Sequence, residues 1–309
     1  MFVFFQYIKN YFKSEFQWAP HVVIGAFLVV CSILNYTYDI YDSWLGELYE
    51  SPASILFLFI FFSIAFVFSV SVVSLFKRDD KPIFNKKYLL FGFVGILFLS
   101  TDCSYYLMQF TEDLYSHSFS VRNWQHACYS NLASFITIIV PLYVLYFCVK
   151  YFKPELYGLK LNGARIKPYF WLILFMLPLI YLASFQPDFL ETYPSYTDHY
   201  EYKILQTDQW VTAGAFELCY GFDFLSVELF FRGFMVIALS RFVGKDAILP
   251  MVTLYCFLHF GKPAGEAISS IFGGYILGIL AYSSRNIYGG LIAHLGVAWG
   301  MEYMAWLQS

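Results

Sequence analysis

The ionisable residues whose spacing suits chemistry lie in the last third of the chain. In SVELFFRG, Glu228 and Arg232 stand four residues apart, so a helix places the carboxylate and the guanidinium on one face. In YCFLHF, Tyr255 and His259 have the same spacing, and GGLIAHLGVAWGME carries His294 within an apolar segment. One glutamate and two histidines can activate a water molecule if folding brings them together. A structural ion pair and buried core histidines are the alternative interpretation.

The composition indicates which solvent surrounds these residues. Of 309 residues, 59% are hydrophobic and 13% are charged, and the mean hydropathy is +0.58. A soluble domain carries roughly twice this share of charge, about 25%. The charges cluster between apolar runs that approach the roughly 20 residues needed to cross a bilayer. No nucleic-acid-binding pattern occurs. The sequence therefore predicts an all-α, polytopic bundle of transmembrane helices.

The apolar runs predict eight or nine spans. One of them, residues 247–260, is short for a span, which leaves the count open between these two numbers. The predicted spans are residues 20–36, 53–76, 88–108, 129–149, 168–186, 211–240, 247–260, 264–282 and 287–307.

The loops between these spans alternate in charge. Fifteen of the nineteen Lys and Arg residues fall on one side of the membrane, whereas Arg122, Lys203 and Lys262 fall on the other. The second side also carries acidic loops around residues 39–50 and 188–208. Because basic loops stay in the cytoplasm, we expect the N-terminus inside and the C-terminus outside, in the plasma membrane.

The chain divides into three predicted regions. Residues 1–18 space apolar and aromatic residues with Lys9 and Lys13 between them, as in an amphipathic helix that lies on the cytoplasmic membrane surface. A frayed extension of the first span is the alternative. Residues 19–187 form a predicted five-span bundle, and residues 188–309 form the C-terminal core that carries the candidate chemistry.

Ionisable groups inside the bilayer are costly, roughly 2.5–3.5 kcal/mol each on insertion scales, so their positions suggest function. The first five predicted spans contribute essentially Asp102, whereas the last four carry most of the others. Small residues at positions 270, 274 and 278, and again at 296 and 300, allow these helices to approach closely. The intramembrane ionisable residues of the last four spans are Glu217, Asp223, Glu228, Arg232, His259, Glu266, His294 and Glu302.

The order of these motifs resembles the CAAX-protease and bacteriocin-processing family of intramembrane endopeptidases. That family carries EExxxR, FxxxH and HxxxN or HxxxD on successive helices. This chain has VELFFR at 227–232, YCFLH at 255–259 and HLGVA at 294–298. The resemblance covers residues 211–307, about a third of the chain.

Two positions depart from the family pattern. Val227 replaces the first glutamate of the pair, and Ala298 replaces the last Asn or Asp. The resemblance implies that Glu228 and His259 activate water and that His294 stabilises the oxyanion. It leaves Arg232 and Tyr255 as structural or orienting residues.

Three acidic residues are available as substitutes for the lost groups. Glu302 lies about 80° around the helix from His294 and is the better candidate to orient that imidazole. Asp223 is rotated some 140° from Glu228, so we expect it to point elsewhere. Glu266 opens the helix after His259, where it is either a substitute or a solvated loop charge.

The resemblance and the residues lead to three functional hypotheses. The first is an intramembrane endopeptidase that hydrolyses membrane-associated peptide or protein substrates through Glu228, His259 and His294. The second is a catalytically impaired pseudoenzyme or scaffold of the same fold, which Val227 and Ala298 favour. The third is a transporter or proton relay, and the sequence lacks the matched broken helices of such proteins.

No cofactor is required by the sequence. Neither HExxH nor a Cys/His cluster occurs, and the resembling family is argued to work without a ligated metal. Membrane lipids are expected partners, and nucleic acids are not.

Overall fold

The structure is a computed structural model that describes residues 2–48, 51–77, 84–152, 155–160, 166–197 and 200–308. Every regular element in these ranges is helical, and no strand occurs among them. The prediction of an all-α fold is confirmed. Helices are the expected solution in a bilayer, since each helix satisfies its own backbone hydrogen bonds.

The first half of the chain begins with a short helix and continues with long apolar ones. A π-helical segment, Phe135–Ile139, joins α6 to α7, so that the two run as one rod. The helices are α1 (Phe2–Ser14), α2 (Trp18–Tyr38), α3 (Ile40–Glu47), α4 (Pro52–Phe76), α5 (Lys86–Cys103), a 3₁₀ helix (Tyr106–Leu114), α6 (Phe119–Ser134) and α7 (Val140–Cys148).

The second half contains the helices that carry the candidate chemistry. A ten-residue π-helical segment, Leu229–Ala238, continues α11 without a break. Short 3₁₀ helices cover Leu156–Gly158, Gly244–Ala247 and His259–Gly261. The remaining helices are α8 (Tyr169–Ala183), α9 (Pro187–Thr192), α10 (Glu201–Ile204), α11 (Gln209–Glu228), α12 (Ser240–Val243), α13 (Ile248–Leu258), α14 (Ala264–Ser284) and α15 (Tyr288–Gln308).

Four described helical segments are long and apolar enough to cross a membrane: Trp18–Tyr38, Pro52–Phe76, Phe119–Cys148 and Ala264–Ser284. A fifth span results if α5 and the 3₁₀ helix after it, bent by 44°, count as one. The structure therefore supports a multi-span membrane protein, and the larger count of eight or nine spans stays a prediction.

The other four predicted spans correspond to helices that are either shorter or more polar than these segments. Helix α8 is apolar but has 15 residues, and α13 has 11. At 1.5 Å per residue they reach about 22 and 16 Å, less than the roughly 30 Å of hydrocarbon. Helices α11 and α15 are longer but carry buried polar residues, which lowers their hydropathy.

The core is aromatic and centred on the π-helical segment after α11. All ten residues of Leu229–Ala238 are buried, and Phe231 and Phe234 are fully enclosed. Helices α13 and α14 pack beside it, and residues from both halves of the chain contribute to one apolar cluster. This packing fixes the helix that carries Glu228 and Arg232.

Apolar side chains also cover the outside of the bundle. Leu75, Phe175 and Leu218 are each at least two-thirds exposed, on three different helices. Such exposure would be unfavourable in water but is expected against lipid.

At the basic end of the bundle, Glu155 accepts hydrogen bonds from Arg285 and pairs with Arg241, 3.2 Å away. Partial burial pulls the pKa of Glu155 upward, but these two guanidinium groups outweigh it and leave the pKa below its ordinary value. This ion-pair cluster joins the loop after α7 to α12 and to the end of α14.

Candidate active site

Glu228 is the last residue of α11, and Arg232 lies one turn later in the π-helical segment. Both side chains are almost completely enclosed, with 0% and 1% of their surfaces exposed. Nη1 of Arg232 lies 3.1 Å from Oε1 of Glu228, as the four-residue spacing predicts. The attraction between the carboxylate and the guanidinium offsets part of the desolvation cost of burying both charges in an apolar interior.

The same carboxylate oxygen contacts His294 on α15. Oε1 of Glu228 lies 3.1 Å from Nδ1 of His294. Helix α15 can approach this closely because residue 290, one turn before His294, is glycine. A Cβ atom at Gly290 would lie 2.4 Å from Oε2 of Glu228, so a larger residue there would displace the carboxylate.

Tyr255 on α13 lies at the centre of the cluster. Its hydroxyl is 3.2 Å from Nε2 of His294, and the guanidinium of Arg232 lies over its ring, 4.4 Å from the centroid. Gly274 on α14 leaves room for this ring, since a Cβ atom there would lie 2.9 Å from Cδ1 of Tyr255. Tyr255 on α13 thereby contacts both α15 and the π-helical segment after α11.

His259 begins the 3₁₀ helix after α13, and its ring packs on the ring of Tyr255 with centroids 4.5 Å apart. Nδ1 of His259 lies 2.8 Å from the backbone carbonyl oxygen of Tyr255. Nε2 lies 3.9 Å from Oε1 of Glu266 on α14. The other oxygen of Glu266 accepts a hydrogen bond of 2.8 Å from the hydroxyl of Tyr193.

The sequence predicts that Glu228 pairs with His259 and Glu302 with His294, and the structure arranges both pairs differently. Each histidine has its own carboxylate: Glu228 contacts His294, and Glu266 lies beside His259. Glu302 is bound elsewhere, because both of its oxygens accept hydrogen bonds from the backbone N–H of Ser195, at 3.1 and 2.9 Å. The carboxylate that contacts the imidazole of His294 is thus Glu228.

The tautomers follow from these partners. A backbone carbonyl only accepts, so Nδ1 of His259 carries the hydrogen and a neutral ring has its lone pair on Nε2. The carboxylate of Glu228 likewise selects a protonated Nδ1 on His294. With these tautomers, Nε2 of His259 can accept a proton, and Nε2 of His294 accepts a hydrogen bond from the hydroxyl of Tyr255.

The cluster is enclosed on the Glu228 side and partly open on the histidine side. The side chains of His259, His294 and Glu266 are 13%, 15% and 18% exposed. Within the described parts of the chain, no group of three or more His, Cys, Asp or Glu residues could hold a metal ion. The residues present are suited to proton transfer and hydrogen bonding.

Two contributors to the site were not identified from the sequence. Tyr193 reaches Glu266 from the loop before α10, and the ring of Phe224 packs edge-on against His294 with centroids 4.5 Å apart. The glycine pair at the start of α15 could have indicated that α15 approaches α11 closely, because glycine at a helix seam permits close approach. Nothing in the sequence pointed to Tyr193, which lies in a loop.

The fold and the site define a helical membrane protein with a buried cluster of Glu, Arg, Tyr and His residues. Residues 210–300 match the family model described as type II CAAX prenyl endopeptidase, Rce1-like. This region contains all three motifs, and the predicted family is confirmed over it. Over residues 210–300 the chain is thus similar to a family of CAAX-type proteases.

Neither the curated proteins nor the solved structures contain a significant match to this chain. The family match covers 91 residues, from 210 to 300, and leaves helices α1 to α10 outside it.

Proposed function

We propose that the chain is an intramembrane endopeptidase that hydrolyses peptide bonds of membrane-associated substrates with a water molecule activated by a histidine. The observation that carries this proposal is the pair of Glu–His contacts on either side of Tyr255. Such pairs supply a base and a donor at neighbouring positions.

His259 is the proposed base. Its Nδ1–H is held by the carbonyl of Tyr255, so Nε2 is free to accept a proton from water. The water oxygen then adds to the scissile carbonyl carbon. Glu266, 3.9 Å from Nε2, stabilises the imidazolium that forms, and so takes the place of the glutamate lost at Val227.

His294 and Tyr255 form the proposed oxyanion side. When the ring of His294 carries both protons, Nδ1–H donates to Glu228 and Nε2–H is available to the oxyanion. The hydroxyl of Tyr255 is a second donor at the same place. When the C–N bond breaks, the proton held by His259 passes to the leaving amine.

A catalytically impaired scaffold is the second candidate, and one observation favours it. The Glu228–Arg232 pair, the ring of Tyr255 and His294 form a compact contact set that would hold α11, α13 and α15 together without any chemistry. The peptidase hypothesis predicts that an isosteric substitution of Glu228 abolishes cleavage. The scaffold hypothesis predicts that it changes only thermal stability.

The test is cleavage of a panel of membrane-anchored peptides by the reconstituted chain and by Glu228→Gln and Glu266→Gln. Glutamine keeps the size and the acceptor oxygen but cannot compensate an imidazolium charge. We expect each variant to lose at least about 100-fold in kcat while remaining folded. Glu302→Gln is the matched control, because its backbone partner Ser195 is satisfied by either side chain.

The proposal fails if the wild-type chain cleaves nothing in the panel and Glu228→Gln changes only thermal stability. Restoration of the family pattern by Val227→Glu with Ala298→Asn should raise an existing activity. Expression and melting temperature are measured first, since a new buried carboxylate at position 227 is itself destabilising.

A further inference from the structure

A basic cleft lies at the end of the bundle that carries most of the Lys and Arg residues, away from the Glu–His cluster. It has a volume of about 800 Å³. The N-terminus of α5, the C-terminus of α7 and helix α12 form its walls. Among the described residues that line it, none is a carboxylate and four are cationic: Lys86, Lys87, Lys150 and Arg241.

Most of the positive charge in this cleft has no carboxylate partner among the residues that the structure describes. Within the part of the chain that the structure describes, neither Lys86 nor Lys150 forms an ion pair with a carboxylate. Lys87 donates a 2.5 Å hydrogen bond to the hydroxyl of Tyr151. Arg241 is the exception, because Glu155 lies 3.2 Å away. The cleft is therefore complementary to an anion with more than one negative oxygen.

The start of α5 adds to this field. Asn85 caps the helix by accepting hydrogen bonds from two backbone N–H groups, and it lines the cleft together with Lys86. A helix N-terminus carries a partial positive charge, and anions bind favourably there. The helix dipole and the side-chain cations thus act on the same volume.

The lipid-facing surface begins directly beside the cleft. On α5, Leu90 lies one turn after Lys86 and is 59% exposed. On α7, Phe147 lies shortly before Lys150 and is 56% exposed. A ligand with its anionic group in the cleft can therefore lay acyl chains along α5 and α7. A soluble phosphate compound would use only the polar half of this arrangement.

We propose that this cleft binds the phosphate-bearing headgroup of an anionic phospholipid. The lysines contact the phosphate oxygens, and the acyl chains lie on the apolar faces of α5 and α7. The bound lipid joins α5 and α7 to α12, which directly follows the segment that carries Arg232. It thereby stabilises the core helices, independently of any peptidase activity.

The test measures binding of phosphatidylglycerol and of phosphatidylcholine to the full chain in detergent, by native mass spectrometry and by the shift in melting temperature. The variant is Lys86→Gln with Lys150→Gln, because neither side chain takes part in a described hydrogen bond. Arg241 is left intact, since it holds Glu155. The matched control is Lys9→Gln with Lys13→Gln, which removes two exposed charges from α1, outside the cleft.

We expect phosphatidylglycerol, but not phosphatidylcholine, to bind and to raise the melting temperature. Loss of the two lysines should weaken that binding about 30-fold, and the control pair should leave it within about threefold. Equal effects of the two lipids, or equal effects of the two variants, would overturn the proposal. Stabilisation by inorganic phosphate as large as that by lipid would overturn the lipid assignment. Melting temperatures without added lipid verify that both variants fold.

Discussion

Tyr255 is the residue on which the other groups of the site converge. Its hydroxyl contacts His294, its ring packs on His259 and under Arg232, and its carbonyl accepts from His259. A phenylalanine would preserve the ring contacts but not the hydroxyl. In the proposed mechanism the hydroxyl is an oxyanion donor, and Ala298 stands where the resembling family has Asn or Asp.

We therefore expect Tyr255→Phe to lower kcat by about 100-fold with little change in melting temperature, because one oxyanion donor is lost. Addition of Ala298→Asn to this variant should recover part of the activity. Tyr275→Phe is the control, because the hydroxyl of Tyr275 contacts His21 outside the site. Full activity of Tyr255→Phe would show that the hydroxyl takes no part in the reaction.

The composition of the site followed from the sequence, but its pairing did not. A spacing of four residues predicts a contact within one helix, and Glu228 and Arg232 make that contact. Which histidine meets which carboxylate depends on the rotation and depth of separate helices. Spacing along the chain contains no information on these, so the positions of Glu266 and Glu302 required the structure.

At the scale of helices, glycines determine how closely α15 approaches α11. Gly290 faces Glu228 and Gly221 faces Trp299, and a Cβ atom at either position would lie less than 3 Å from its neighbour. Such contacts are backbone against side chain, which small residues allow in membrane bundles. The Glu228–His294 contact depends on this seam.

Gly290→Ala should displace the Glu228 carboxylate, destabilise the fold by about 1–3 kcal/mol and reduce cleavage. Thermal unfolding in detergent and the peptide assay measure the two effects. Gly273→Ala is the matched control, because nothing lies within 4 Å of a Cβ atom there. If both variants melt and cleave alike, the seam at Gly290 is not tight.

Helix positions were predictable because apolar runs in a bilayer form helices of known length. The predicted segment 264–282, for example, corresponds to Ala264–Ser284. The π-helical segment Leu229–Ala238 was not predicted. It depends on how Phe231 and Phe234 pack against neighbouring helices, and apolar periodicity over ten residues does not separate it from an α-helix.

At the scale of the whole molecule, charge is distributed unevenly between the two ends of the bundle. The basic cleft and the Glu155 cluster lie at one end. Glu302 and Glu266 lie near the other, where they contact Ser195 and Tyr193 from the acidic loop before α10. The positive-inside rule then predicts that the basic cleft lies in the cytoplasmic leaflet and the acidic loop outside.

This orientation predicts which single cysteines react with a membrane-impermeant thiol reagent. In a Cys148→Ser background, which removes the one exposed native thiol, Leu190→Cys should be labelled in intact cells. Lys86→Cys should be labelled only after lysis, because Lys86 begins α5 at the basic end of the bundle, which we expect inside. The reverse pattern would place the basic cleft in the outer leaflet and would contradict both the orientation and the cytoplasmic N-terminus. Labelling of both sites before lysis would indicate leaky cells, which a cytoplasmic thiol protein measured in the same sample detects.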